Sequence, residues 1–181
     1  MLIPAISQRT GLVLVAAASF GLVAAGYVLG VALNLHPCPL CIFQRLLYIV
    51  VGCLALLAAA APKPAWRWPP AGLAVVAALG GLATAAYQSW MQAFPGSIME
   101  CGYAEPNLIE RLVDWLGERW ETMFLATGLC SSKEWMFLGL SMANWSNLCF
   151  AALAAAILWS MRRPAWIAGR KKSPRSGGLS R

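Results

Sequence analysis

Four long stretches of the chain are almost free of charge. Residues 11–33 carry no charge, residues 42–61 carry Arg45 alone, and residues 71–90 carry none. Residues 135–160 also carry none, and their most lipid-like part is 142–160. About 20 consecutive apolar residues in a helix cross roughly 30 Å of hydrocarbon. A helix also satisfies its own backbone in lipid. A β-barrel would instead show alternating segments of about ten residues, and no such alternation is present. The pattern predicts an all-α membrane protein, a four-transmembrane-helix bundle spanning about 11–33, 42–61, 71–90 and 142–160. The first apolar run exceeds the 7–15 residues of a signal-peptide core, and no clear small-x-small cleavage site follows it. It reads as a retained span. The expected organisation is a single membrane domain over residues 1–161, followed by a basic, disordered cytoplasmic tail over 162–181.

Two loops fall on one side of this bundle, a short one at 34–41 and a long one at 91–134. Residues 107–124 of the long loop have helical periodicity. Leu108, Leu112, Trp115, Leu116 and Trp120 share a stripe at i, i+3, i+4 spacing, with most of the acidic residues off it. Asn107 followed by Glu110 predicts a capping box. The segment is too short and too charged to cross lipid, so it is expected as an amphipathic helix lying on the outer surface. It would anchor the loop while Cys101 stays mobile. Gly26 and Gly30 form a GxxxG, and Gly80 and Gly81 with Ala85 form a second small face. Both predict close helix packing.

Composition removes the soluble alternatives. Of 181 residues, 60% are hydrophobic and 12% are charged, where soluble domains carry about 25% charged residues. A globule of this size cannot bury so much apolar side chain, and a disordered chain would not contain it. Charge then orients the bundle. All seven acidic residues lie at 91–134. Arg9, the 62–70 linker with Lys63 and Arg67, and the tail with seven basic residues make ten Lys/Arg on one side, against three in the long loop. The positive-inside rule places both termini and the linker in the cytoplasm and both loops outside. Trp66, Trp68, Trp90, Trp135 and Trp159 fall near span ends, as interface aromatics do. The net charge of +7 sits mostly in the tail beside the membrane. Topology and anionic lipid explain it without a nucleic-acid partner.

Six cysteines carry the candidate chemistry. Cys53 and Cys149 lie within spans and read as small buried hydrophobes. Cys38, Cys41, Cys101 and Cys130 all fall on the outer, oxidising side, where disulfides persist. Cys38-Pro39-Leu40-Cys41 is a C-x-x-C that leads into span two. Cys41 is therefore at or near a helix N-terminus, where unsatisfied N–H groups favour a thiolate. Arg45 lies one turn further on the same face. It suits an anionic ligand, or alternatively an interface anchor. Cys101 and Cys130 suit a structural bridge, a redox pair, or half of a four-cysteine zinc site. The short loop holds its pair at the membrane surface, whereas the long loop reaches into water. That arrangement suits electron relay by thiol–disulfide exchange. His36, two residues before Cys38, reads as a solvated turn residue rather than an acid–base group.

Pro37-Cys38-Pro39-Leu40-Cys41-Ile42-Phe43-Gln44-Arg45, with Cys130-Ser131-Ser132-Lys133-Glu134-Trp135-Met136-Phe137-Leu138-Gly139 entering span four, resembles the disulfide-bond formation protein B (DsbB) family of bacterial inner-membrane thiol:quinone oxidoreductases. The resemblance covers nearly the whole chain. It implies four catalytic cysteines. Cys101 would form a mixed disulfide with a soluble periplasmic thioredoxin-fold dithiol oxidase, DsbA-like, and Cys130 would exchange with Cys38. Cys41 would pass electrons to a quinone, ubiquinone or menaquinone, through a thiolate–quinone charge-transfer state. It further implies that Arg45 holds the quinone's developing charge, with Gln92 and Met142 near the pocket and no metal. Gln88 stands where some members carry a histidine. Vitamin K epoxide reductase-like proteins also pair a C-x-x-C with a quinone, but their loop cysteines precede the C-x-x-C and here they follow it. A four-span scaffold stapled by disulfides is the non-enzymatic alternative.

Overall fold

The computed structural model describes residues 7–94, 107–133 and 135–162. Cys101, Glu134 and the tail beyond Arg162 lie outside the described residues. Four helices are long and apolar enough to cross a membrane: α1 (Gln8–Ala32), α2 (Pro39–Ala60), α3 (Trp68–Ala93) and, after two short helices and a hairpin, α6 (Met142–Arg162). The chain is thus a four-span bundle. Helix α1 packs on α2, α2 on α3, and α3 on α6, with α1 and α6 closing the ring. A 3₁₀ turn, Pro64–Arg67, joins α2 to α3.

Alanines fill much of the centre of the bundle. Ala55, Ala58, Ala74 and Ala78 are fully buried, beside Leu12, Val51, Phe150 and Ile157. Small side chains let backbones approach without leaving voids, which is the main packing force where lipid removes the hydrophobic one. Two large rings fit against glycines. Phe20 of α1 lies against Gly52 of α2, and Phe150 of α6 lies so close to Gly81 of α3 that any Cβ there would collide with it. Phe150 is also stacked on Tyr48, with ring centroids 4.0 Å apart. Substituting Gly81 with alanine should therefore destabilise the bundle by about 1–3 kcal/mol, the usual cost of overpacking. Thermal unfolding in detergent measures it.

The other glycine pair behaves differently from expectation. A Cβ at Gly26 or Gly30 would meet nothing within 4 Å. These residues do not pack a helix. They line a cavity between α1 and α6. Gly11, near the start of α1, instead lies directly against Ser160 of α6. A Gly26→Ala variant should keep wild-type stability in the same assay. Cys53 also departs from expectation, being exposed on the outside of α2, while Cys149 is half-buried beside the core.

The end at which α1 and α6 touch gathers basic residues. Arg67 Nη1 donates to Gln8 Oε1 at 3.1 Å, and Arg9 Nη2 donates to the Ala61 carbonyl at 3.4 Å. Gln8 Nε2 donates to the Met161 carbonyl at 3.4 Å. The start of α1, the linker and the end of α6 therefore share one end of the bundle. Trp66, Trp68, Trp90 and Trp159 stand out from the protein near helix ends.

At the opposite end, α4 (Leu108–Arg119) begins with the capping box: Asn107 Oδ1 accepts from Glu110 N, and Glu110 Oε2 accepts from Asn107 N. The helix stops at Trp120 instead of continuing to 124. A separate turn, α5 (Glu121–Phe124), follows, and the Phe124 carbonyl folds back beside Gly117. Of the expected apolar stripe only Leu116 is buried, and it joins Val113, which lies off that stripe, against Ile42 and Phe124, whereas Leu108, Leu112, Trp115 and Trp120 are exposed. One face thus grips α2 and the other is left to lipid. A two-stranded hairpin, β1 (Met136–Phe137) and β2 (Leu140–Ser141), leads into α6. Its two-residue turn holds Leu138 at φ 53° and Gly139 at φ 78°, the left-handed pair such a hairpin requires.

Candidate active site

The short turn between α1 and α2 sets the first cysteine pair. Helix α1 ends with Asn34 at φ 51°, a conformation asparagine tolerates at helix ends. Leu35 N donates to the Gly30 carbonyl at 2.9 Å, which closes the turn. Pro39 then occupies the first turn of α2, where its missing N–H costs nothing. Cys38 becomes the N-cap, and its Sγ accepts from Cys41 N at 3.3 Å. The two sulfurs are 2.8 Å apart.

The long loop comes to this turn rather than standing away from it. Thr127 N and Gly128 N both donate to the Pro37 carbonyl, at 3.0 and 3.1 Å. Gly128 lies against the His36 carbonyl, with no room for a Cβ. Residues 127–130 are thereby docked on the turn, and Cys130 is buried beside Cys38, Leu40 and Met91. The neighbouring Cys130 and Cys41 side chains, and then burial, push the Cys38 thiol far above its ordinary range. His36 is an exposed turn residue whose backbone, not its ring, meets Gly128.

A cavity of about 300 Å³ opens beside these sulfurs, at the lower end of the range for small-molecule sites. Cys38, Cys41, Arg45, Gln92 and Met142 all line it, together with Gln44, Tyr48, Gln88 and Ser146. Leu22, Val23, Gly26 and Leu29 of α1 form its apolar wall. Arg45 is half-buried, and one of its N–H groups donates to the Met123 carbonyl, tying α2 to the loop. Its guanidinium lies 6.0 Å from the Tyr27 ring centroid. Gln92 has both ends of its amide engaged: Nε2 donates to the Ser132 carbonyl at 3.0 Å, and Oε1 accepts from Ser141 Oγ at 2.6 Å.

Two residues are more central than their place in the sequence suggests. Gln88 Nε2 lies 3.1 Å from Cys41 Sγ and 3.3 Å from Cys38 Sγ. Gln44 Nε2 donates to Gln88 Oε1 at 2.9 Å. The available signal was polarity. Buried amides within otherwise apolar spans are expensive and tend to be functional.

Comparison with known proteins places the chain in a family. The sequence profile of the family described as Disulfide bond formation protein DsbB matches residues 8–160. The chain belongs to the DsbB family. A Disulfide bond formation protein B of Dechloromonas aromatica (strain RCB) is 56% identical over 146 residues, which cover 79% of this chain and 86% of that one. Its counterpart in Azoarcus sp. (strain BH72) is 41% identical over 127 residues, covering 70% and 75% of the two chains. That of Nitrosomonas europaea is 39% identical over 159 residues, covering 86% and 95%. As a DsbB-family member, the chain is a multi-pass membrane protein of disulfide bond formation and a disulfide-forming oxidoreductase.

Proposed function

We propose that the protein reoxidises a soluble periplasmic thioredoxin-fold dithiol oxidase, DsbA-like, and passes the electrons to a membrane quinone. The observation that carries this reading is the line of three sulfurs. Cys130 of the loop is buried in one cluster with Cys38, Cys38 lies 2.8 Å from Cys41, and Cys41 lines the cavity.

Cys101 and Cys130 form the outer disulfide in this scheme. The soluble dithiol attacks it, becomes a disulfide, and leaves two thiols on the loop. Those thiols reduce the Cys38–Cys41 disulfide through a Cys130–Cys38 mixed disulfide and recover their own bond. The Cys38–Cys41 dithiol then closes to a disulfide and gives up two electrons and two protons. Cys41, Arg45 and the α1 wall would hold a quinone in the cavity, and it would supply the two-electron, two-proton acceptor.

The residues present fit such a ligand. The wall from α1 is apolar, the polar groups converge at the cysteine end, and Arg45 offers a fixed positive charge. Arg45 stabilises negative charge that develops beside Cys41, a preorganised electrostatic role. Gln92 holds the loop and the hairpin against the cavity through Ser132 and Ser141, and Met142 shapes its rim. The basic end of the bundle supports an orientation with both termini in the cytoplasm of a bacterial inner membrane and the cysteine end in the periplasm.

The test is oxidation of a reduced thioredoxin-fold dithiol by the purified protein, with quinone absorbance followed in detergent. Catalytic quinone loss that requires both the protein and the dithiol is the expected result. No turnover with either ubiquinone or menaquinone analogues, on protein with intact disulfides, would overturn the reading.

A further inference from the structure

We propose that Gln88 is a non-titrating hydrogen-bond donor that stabilises the Cys41 thiolate, and that Gln44 is the positioning residue that aims its amide. The inference deepens the proposed function, since it rests on Cys41 being the sulfur next to the acceptor.

Burial gives the first argument. Gln44 is 5% exposed and Gln88 3%, and both sit on membrane-spanning helices. A buried amide is tolerated there only when its polar atoms are paired. Gln44 and Gln88 pair with each other at 2.9 Å, with Gln44 donating to Gln88 Oε1. That bond commits the oxygen of Gln88 to Gln44 and turns its NH₂ toward the sulfurs. The amide NH₂ has two hydrogens, and two sulfurs lie within reach of it.

The second argument is what the helix itself does not provide. The backbone N–H of Cys41 donates to Cys38 Sγ, so this N-terminal amide of α2 serves the outer sulfur. Cys41 Sγ also faces the Cys38 sulfur at 2.8 Å and shares the cavity with the Arg45 guanidinium, and Gln88 Nε2 is the amide that reaches it, at the shorter of its two distances, 3.1 Å. A donor favours the charged form of its acceptor over the neutral one. An amide also does not titrate, so the donor is present at every working pH.

The experiment needs no quinone. The fully reduced, quinone-free protein is alkylated with iodoacetamide across a pH series, and modification of Cys41 is followed by mass spectrometry. Hydrogen bonds to charged groups set the scale of the expected change. Gln88→Met, similar in volume and lacking donors, should raise the midpoint of the Cys41 profile by about one to two pH units. Gln44→Met should raise it less, because Gln88 keeps its donors and loses only their direction. A packing role would instead raise the plateau rate at all pH values by exposing Cys41, with the midpoint unmoved, and that result overturns the proposal. If Gln88→Met does not fold, Gln44→Met decides by the same criterion: a raised midpoint supports the proposal and an unchanged one overturns it. Failure of the relay itself would show as absent quinone turnover in the wild-type protein, whatever the alkylation profile does.

Discussion

Replacing Cys41 with serine is expected to reduce quinone-dependent turnover by at least about 10³-fold, on the scale of losing a reacting nucleophile. In the proposed relay the electrons leave the protein as a pair, when Cys38 and Cys41 close to a disulfide. With serine at 41, the Cys38 thiol has no partner on the cavity side. Its remaining sulfur neighbour is Cys130, buried in the same cluster, so any exchange runs back into the loop. The helix N-terminus, Arg45 and the cavity wall are unchanged by the substitution, which makes the loss chemical rather than structural. The variant should still oxidise about one equivalent of soluble dithiol from its resting loop disulfide and then stop, on the thiol–disulfide exchange chemistry set out above. Thiol counting against quinone absorbance separates these two quantities. Sustained quinone reduction by the serine variant would remove Cys41 from the relay.

Gly128→Val is expected to slow transfer from the soluble dithiol by about 10²-fold while leaving every cysteine in place, because a displacement of about 1 Å between reacting groups has that cost. Gly128 has no room for a side chain against the His36 carbonyl. Its N–H and that of Thr127 donate to the Pro37 carbonyl and hold the loop on the turn. A branched side chain forces the loop off, breaks both bonds and carries Cys130 away from Cys38. Dithiothreitol, which is small enough to reduce the Cys38–Cys41 disulfide without the loop, should drive quinone reduction at the wild-type rate in this variant. Equal slowing with both reductants would point to a damaged cavity instead of a displaced loop.

Some of the site was legible because it is local. The C-x-x-C, its position at the head of α2 and Arg45 one turn further are matters of spacing along one helix. The capping box of α4 is likewise a contact between Asn107 and a residue three positions away. Other parts could not be read that way. The approach of Cys130 to Cys38 depends on residues 127 and 128 meeting residues 36 and 37 across about 90 positions of chain. The Gln44–Gln88 bond joins two helices 44 residues apart. Gly26 and Gly30 carry the spacing of a packing motif, but no neighbouring helix comes against them, so the same small residues make space for a cavity instead of a contact. On α4, periodicity identified an apolar stripe without saying which side of it faces α2 and which faces lipid.

From the sequence alone follow the four spans, the sharing of one end of the bundle by both loops, and the chemistry available at the head of α2. Charge-free runs, basic asymmetry and C-x-x-C spacing act over a few residues or through the membrane itself, so they need no partner to be read. The tertiary structure decided which sulfurs meet, which amides aim at them, and where the cavity opens. Those outcomes depend on how close two helices come, and that distance is set by every side chain between them.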